Sequence, residues 1–504
     1  MGLRSCLQSR FPASGDASVL FAVFFIWAIT FVSFDFHDDY PPRNDDDLMY
    51  LTLGKSFYQG RGYQNIALPT KENTFLAPSG FPLLLSFYWF FKAPILALKI
   101  FLALLIIAGV WLSFIWLTLF IPRIEAFLIA LAFASLPEFI MVSNGVMTEI
   151  LFIPVFYLAL IFSAQFVMNR YQGKSGWLAT LCWVVLARTR VVGVVFLLTF
   201  FILLIVKKQW LKSAVAGLLF MSWLLLEKAL IIKAAIPFSY GKSEMGQLHA
   251  LFANPHRFLN TIYGFYKANI EAFVSSYYAK YFFPYFYHLY AMNHAKLVLT
   301  LGIFCVGLAG GLCLWKTKPF LRFTLVAAAI MAGIIFRWDA FGALNRYLFP
   351  FYPLMILAFV YSFHCAAKKI PFLRTTRITL ILCLLVAANN GFFSAGHFDP
   401  WTENWWDREH LLSVHEYINR LSSKPQLLLS PINRYSYLKT GIHSVLLTDS
   451  LDIKNLCLAI GAKNVLVVER EIGNQVGPWW RSPPGVLLTR KGHWALYALN
   501  LSAL

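Results

Sequence analysis

The chain has 504 residues, of which 59% are hydrophobic, 17% aromatic and only 13% charged, and it carries a formal net charge of +19. A soluble domain holds about 25% charged residues, so this composition excludes a soluble globular protein and predicts a polytopic membrane protein. The positive charge does not mark a nucleic-acid surface, because the basic residues gather in short loops between apolar runs, as cytoplasmic loops do.

In chain order, residues 17–34 form the first apolar run, with no small-residue cleavage site after it. Arg4 and Arg10 precede it, which places the N-terminus in the cytoplasm and the following acidic loop outside. Apolar runs at 94–120, from Arg123 to a turn at Asn144-Gly145, and at 148–166 follow. A short ascent at 177–187 and runs at 191–206 and 213–232 lead into a polar and aromatic segment, 233–293. Runs at 295–315, 323–336, 347–367 and 378–393 complete about eleven spans by hydropathy and the alternation of basic landings. The seven cysteines fall mostly inside these runs and only Cys457 lies in a segment placed outside the membrane, so no structural disulfide is expected in that outer part.

Beyond residue 396 the character changes. Helical spacing over 403–421 is followed by β-type runs at 426–429, 445–448, 464–468, 486–489 and 494–499, with an apolar helical piece at 453–460. The predicted organisation is an all-α transmembrane domain, 1–396, with outer segments at 35–93 and 233–293. A small extracytoplasmic α/β domain, 397–504, completes it.

The chemistry concentrates after the first span, at Asp45-Asp46-Asp47-Leu48-Met49-Tyr50. One reading is structural: Asn44 or Asp45 caps a helix running to about Tyr58, with Asp46 and Asp47 in a first turn favoured by the dipole. That placement also leaves a carboxylate at a helix tip, able to take a proton from a hydroxyl or to meet a cation. Glu149, Arg188, Arg190 and Arg346 are further charges at outer span ends. Ionisable groups at such depth are functional candidates, although charges at span ends also serve as orientation signals. The aromatic run from Tyr277 to Tyr287 suits a sugar or lipid groove, or equally an interfacial belt.

An acid–acid–x–x–Tyr after the first span, then Gly60-Arg61-Gly62-Tyr63 and Gly80-Phe81-Pro82, resembles the first outer loop of the GT-C glycosyltransferases. These polytopic enzymes use polyprenyl-phosphate sugars and include protein O-mannosyltransferases and lipid A aminoarabinose transferases. Thr148-Glu149, Arg188-Thr189-Arg190, Arg346-Tyr347 before Pro350 and Pro353, and Tyr437-Leu438-Lys439-Thr440-Gly441 resemble further family segments. The resemblance implies Asp46 as catalytic base and Asp47 as the following acid. It implies Tyr50, Lys55, Lys71, Glu149, Arg188, Arg190, Arg346 and Tyr347 as substrate-binding residues. Ser79, Val191 and Ala77 depart from the pattern. Ala77 stands where aminoarabinose transferases carry a phosphate-binding lysine, which leaves Lys71, Lys55 or Arg346 to take that part.

The function so implied is inverting transfer of a sugar from a polyprenyl-phosphate donor to a hydroxyl of a glycan, lipid or protein acceptor, with a divalent cation, Mg or Mn, as an optional participant. No dedicated metal motif and no nucleic-acid partner are expected. A transporter or flippase of a lipid-linked or anionic substrate is the rival, though neither related halves nor broken midplane helices are legible. The outward segments carry only one sequon, Asn500-Leu501-Ser502 at the extreme end, and that scarcity favours a bacterial inner membrane with the C-terminal domain in the periplasm.

Overall fold

A computed structural model of the protein describes residues 14–33, 36, 45–64, 66–67, 78–190, 192–232, 293–317, 348–367, 408–430, 433–446, 464–470, 485–491 and 494–499. It also describes single positions and short pieces within 260–267, 322–326 and 383–390. Lys71, Arg346, Tyr347, the aromatic run 277–287 and the expected helix at 453–460 lie outside the described residues.

The helices are α1 (Ser14–Ser33), α2 (Asp45–Tyr58), α3 (Gly80–Phe91), α4 (Ile95–Leu117), α5 (Arg123–Ala134), α6 (Pro137–Asn144) and α7 (Glu149–Met168). After these come α8 (Ser175–Thr189), α9 (Val192–Val206), α10 (Trp210–Ile232), α11 (Asn293–Thr317), α12 (Tyr352–Ala367), α13 (Arg408–Arg420) and α14 (Asn433–Thr440). By length and composition α4 and α7 are apolar enough to cross a membrane. The pair α5–α6 passes the same test as one span broken by a 62° bend. The sequence predicts a single rise through Phe133 and Leu136, but Pro137 sits in the first turn of α6 and cannot continue the ladder of α5. The protein is a membrane protein. Where side chains are described, the other apolar helical stretches, Ser18–Ser33, Gly80–Phe91, Val192–Val206, Trp210–Leu226, Leu301–Thr317 and Phe349–Phe363, run to 10–17 residues each.

Close crossings hold the bundle. A Cβ added at Gly109 of α4 would stand 2.9 Å from the Pro154 ring of α7, the close approach that small residues permit between membrane helices. The Tyr157 hydroxyl of α7 donates to the Pro350 carbonyl at 2.7 Å. Phe133, Phe349 and Tyr352 stack around the same turn, and Phe351 meets Phe156 edge-on. The turn Phe349–Phe351, just after Arg346-Tyr347, is thereby pinned to α5 and α7.

In the C-terminal part, β1 (Leu427–Ser430), β2 (Ser444–Leu446), β3 (Val465–Arg470), β4 (Gly485–Lys491) and β5 (Trp494–Leu499) form one sheet in the order β2-β1-β3-β5-β4. The first three strands are parallel, while β5 runs antiparallel to both β3 and β4. The interior strand β1 is buried throughout, as a strand covered on both faces must be. Leu411, Val414 and Ile418 of α13, at helical spacing, pack with Leu428, Leu466, Val468 and Leu496 of the sheet.

Candidate active site

The acidic stretch forms the first turn of α2, as the dipole argument predicts. Asp46 sits in that turn and Asp47 beside it, with the Asp47 side chain fully buried. Further along, Tyr50 is buried with its ring edge-on to Phe81 of α3, 5.4 Å between centroids. The helix ends in two hydrogen bonds, Arg61 N–H to the Ser56 carbonyl and Gly60 N–H to Phe57, with Gly60 left-handed at φ 69°. This is the glycine-terminated cap that turns the chain sharply back. Gly62, also left-handed, accepts from the Ser56 hydroxyl at 2.7 Å, and Tyr63 follows it into the core.

A glycine lets α3 meet the arginine segment. A Cβ on Gly80 would lie 2.8 Å from the Arg188 carbonyl oxygen and 3.3 Å from the Thr189 nitrogen, so the first turn of α3 rests directly on the last turn of α8. Ser79, just before Gly80, accepts a hydrogen bond from the Trp223 indole of α10 at 2.8 Å. It also lies within hydrogen-bonding reach of Tyr63. Burial pushes the Tyr63 phenol well above its ordinary range, while Ser79 and the nearby Arg188 charge pull the other way. Arg188, itself buried, lies against the Phe220 ring. Gly80→Ala is therefore expected to part α3 from α8, lowering the melting temperature by several degrees in a thermal scan. Gly217→Ala, with its nearest neighbour at 3.8 Å, is expected to leave it unchanged.

Arg190 and Glu149 meet each other. The guanidinium lies 3.0 Å from Glu149 Oε1 with both side chains buried, and the Thr148 hydroxyl donates to Oε2 at 3.2 Å. The two α8 arginines thus divide: Arg190 joins the first turn of α7, and Arg188 joins the Tyr63–Ser79 side. Lys55 lies two helical turns beyond Leu48, its ammonium 5.1 Å from the Trp89 ring centre and 4.8 Å from that of Tyr437. Partial burial lowers its pKa.

By sequence, no known protein family and no curated protein matches the chain. By structure it is similar to ArnT from Cupriavidus metallidurans in the apo state, at TM-score 0.55 and 14% identity, over 97% of this chain and 99% of that one. At this identity the likeness is one of fold, and it is the fold that the resemblance to the GT-C glycosyltransferases predicts. The same fold recurs in ArnT from Cupriavidus metallidurans bound to undecaprenyl phosphate, at TM-score 0.51 and 13% identity over 98% and 99% of the two chains. It also recurs in the Archaeoglobus fulgidus oligosaccharyltransferase, solved with Zn and sulfate, at 0.52 and 11% over 88% and 67%.

Among the described residues, Tyr50 meets Phe81 and Gly80 rests on Arg188, which joins α2, α3 and α8, with Asp47 one turn before Tyr50 on α2. No trio of His, Cys, Asp or Glu side chains converges on a cation position among them. Ser79 and Trp223 carry no site signal in the sequence, and Tyr63 carries only that of its motif. The paired glycines before Tyr63 are the signal available, since two left-handed positions in three residues aim the next side chain inward.

Proposed function

We propose that this protein is an integral-membrane inverting glycosyltransferase. It moves a sugar from a polyprenyl-phosphate donor to a hydroxyl of a glycan, lipid or protein acceptor. The observation that carries the reading is the match, over nearly the whole length of both chains, to a structure bound to undecaprenyl phosphate. With it goes an acid-tipped helix joined through α3 to buried arginines.

In this mechanism the Asp46 carboxylate accepts the proton of the acceptor hydroxyl. An aspartate of ordinary pKa, near 3.9, is ionised at neutral pH and needs no special tuning. The hydroxyl oxygen bonds to the anomeric carbon as the bond to the phosphate oxygen breaks, which inverts that carbon and releases polyprenyl phosphate. The leaving group is stabilised by its own charge, and the enzyme adds fixed positive charge from Arg346 and Arg188. Asp47 is the acid that follows the base, Tyr50 and Tyr347 are assigned to binding the donor, and Lys55 and Lys71 are further candidates for its phosphate. Arg190, held by Glu149, completes the basic set, and Glu149 through that pair fixes the mouth of α7. A divalent cation would add positive charge beside the phosphate without altering these roles.

The site opens on the outer face of a bacterial inner membrane, with the N-terminus cytoplasmic, about eleven spans over 1–396, and the sheet-bearing 397–504 in the periplasm. Purified protein given a polyprenyl-phosphate sugar with a labelled sugar tests the reading. A glycosidic product of inverted configuration is expected. Movement of labelled lipid across a vesicle membrane with no glycosidic product would replace the enzyme with a flippase.

A further inference from the structure

The acidic helix α2 is gripped on two sides by different bodies of protein. Met49, Tyr50, Leu51 and Leu53 belong to the membrane-side core, and Gly54 packs so closely on α3 that a Cβ there would lie 2.7 Å from that of Leu85. Leu48 does not join that core. Its side chain, 3% exposed, is buried among Leu411, Val414, Ile418, Leu428, Ile442 and Leu466 of the sheet-bearing part. Seven residues on, and so on the same stripe of the helix, Lys55 places its ammonium against Tyr437 of α14.

A third attachment follows. Ile66 and Ala67 pack against Tyr437, and the Ala67 carbonyl accepts the Ser444 N–H at 2.7 Å. Ser444 opens β2, the edge strand of the sheet, so the segment after α2 closes an edge that would otherwise be open. The knob, the cation–ring contact and the edge bond all hold one short helix whose first turn contains Asp46. Leu48 is two residues from that carboxylate.

From this juxtaposition we infer that the C-terminal sheet is a positioning module for the reaction centre, with Leu48 and Tyr437 as positioning residues that fix the angle and height of the first turn of α2. The inference rests on the glycosyltransferase reading for its consequence and on packing alone for its geometry. A base displaced by about 1 Å can cost 10²-fold in rate, whereas the donor phosphate is assigned mainly to Arg346 and Arg188, which lie outside α2. Loosening the grip should therefore lower kcat and spare the donor KM.

The test uses the full-length purified protein with a polyprenyl-phosphate sugar as donor, in wild type, Leu48→Ala, Leu48→Met and Tyr437→Ala. Hydrogen exchange of the α2 amides is read alongside turnover. Leu48→Ala and Tyr437→Ala are expected to speed exchange in the first turn of α2 and lower kcat about ten-fold or more, with donor KM within about two-fold. Leu48→Met, which refills the pocket, is expected to restore both. Unchanged α2 exchange in both truncations would overturn the inference, as would equal losses in Leu48→Met and Leu48→Ala. Faster α2 exchange in a protein whose wild type makes no glycosidic bond would support the grip and sink the transferase reading instead.

Discussion

Asp46→Asn is expected to abolish measurable sugar transfer, lowering kcat by about 10²–10⁴-fold, the contribution of a positioned general base. The amide is nearly the same shape and cannot accept the proton. The protein should stay folded, because a single charge in a helix's first turn contributes only about 0.3–1 kcal/mol. Asp47 gives the contrast. Its side chain is fully buried, so Asp47→Ala is expected to lower both turnover and thermal stability. Kinetics and thermal scans on the two variants separate the roles: rate without stability for Asp46, both for Asp47. Equal turnover in wild type and Asp46→Asn would remove the base from the mechanism.

Breaking the Glu149–Arg190 pair is the second large effect. With both partners buried and 3.0 Å apart, removing either one strands a charge in a site sheltered from water, at a cost of about 3–5 kcal/mol. Glu149→Ala and Arg190→Ala should therefore each lower the thermal midpoint strongly. The double change Glu149→Gln with Arg190→Gln should recover much of the loss, since a neutral pair no longer strands a charge. Losses that simply add in the double variant would show that the two side chains act independently.

Much of this was legible in the chain because the signals are local. The helix over Asp45–Tyr58 follows from acids in a first turn and a glycine after the last. The five strands fall within a few residues of the expected runs because hydrophobic alternation and turn residues bound them. What escaped is what depends on contact at a distance. The helix Gly80–Phe91 hides behind Gly80-Phe81-Pro82, which reads as a turn, yet proline is tolerated in a first turn and Gly80 is there for the approach to Arg188. The short helix Asn433–Thr440, between two strands, has little apolar periodicity to betray it. Likewise nothing in the spacing of Arg188-Thr189-Arg190 says that one arginine meets Glu149 and the other neighbours Tyr63. That Leu48 belongs to the sheet's core and not to the membrane bundle follows from burial on two sides of a single helix.

The most direct test of a shared chamber for acid and arginines is an experimental density map of the protein with polyprenyl phosphate bound. The expected map places the phosphate on the outer side of the bilayer, touching Arg346 or Arg188, with the Asp46 carboxylate facing the same cavity. A phosphate bound on the cytoplasmic side, or an Asp46 carboxylate facing away from the cavity that holds it, would contradict the account.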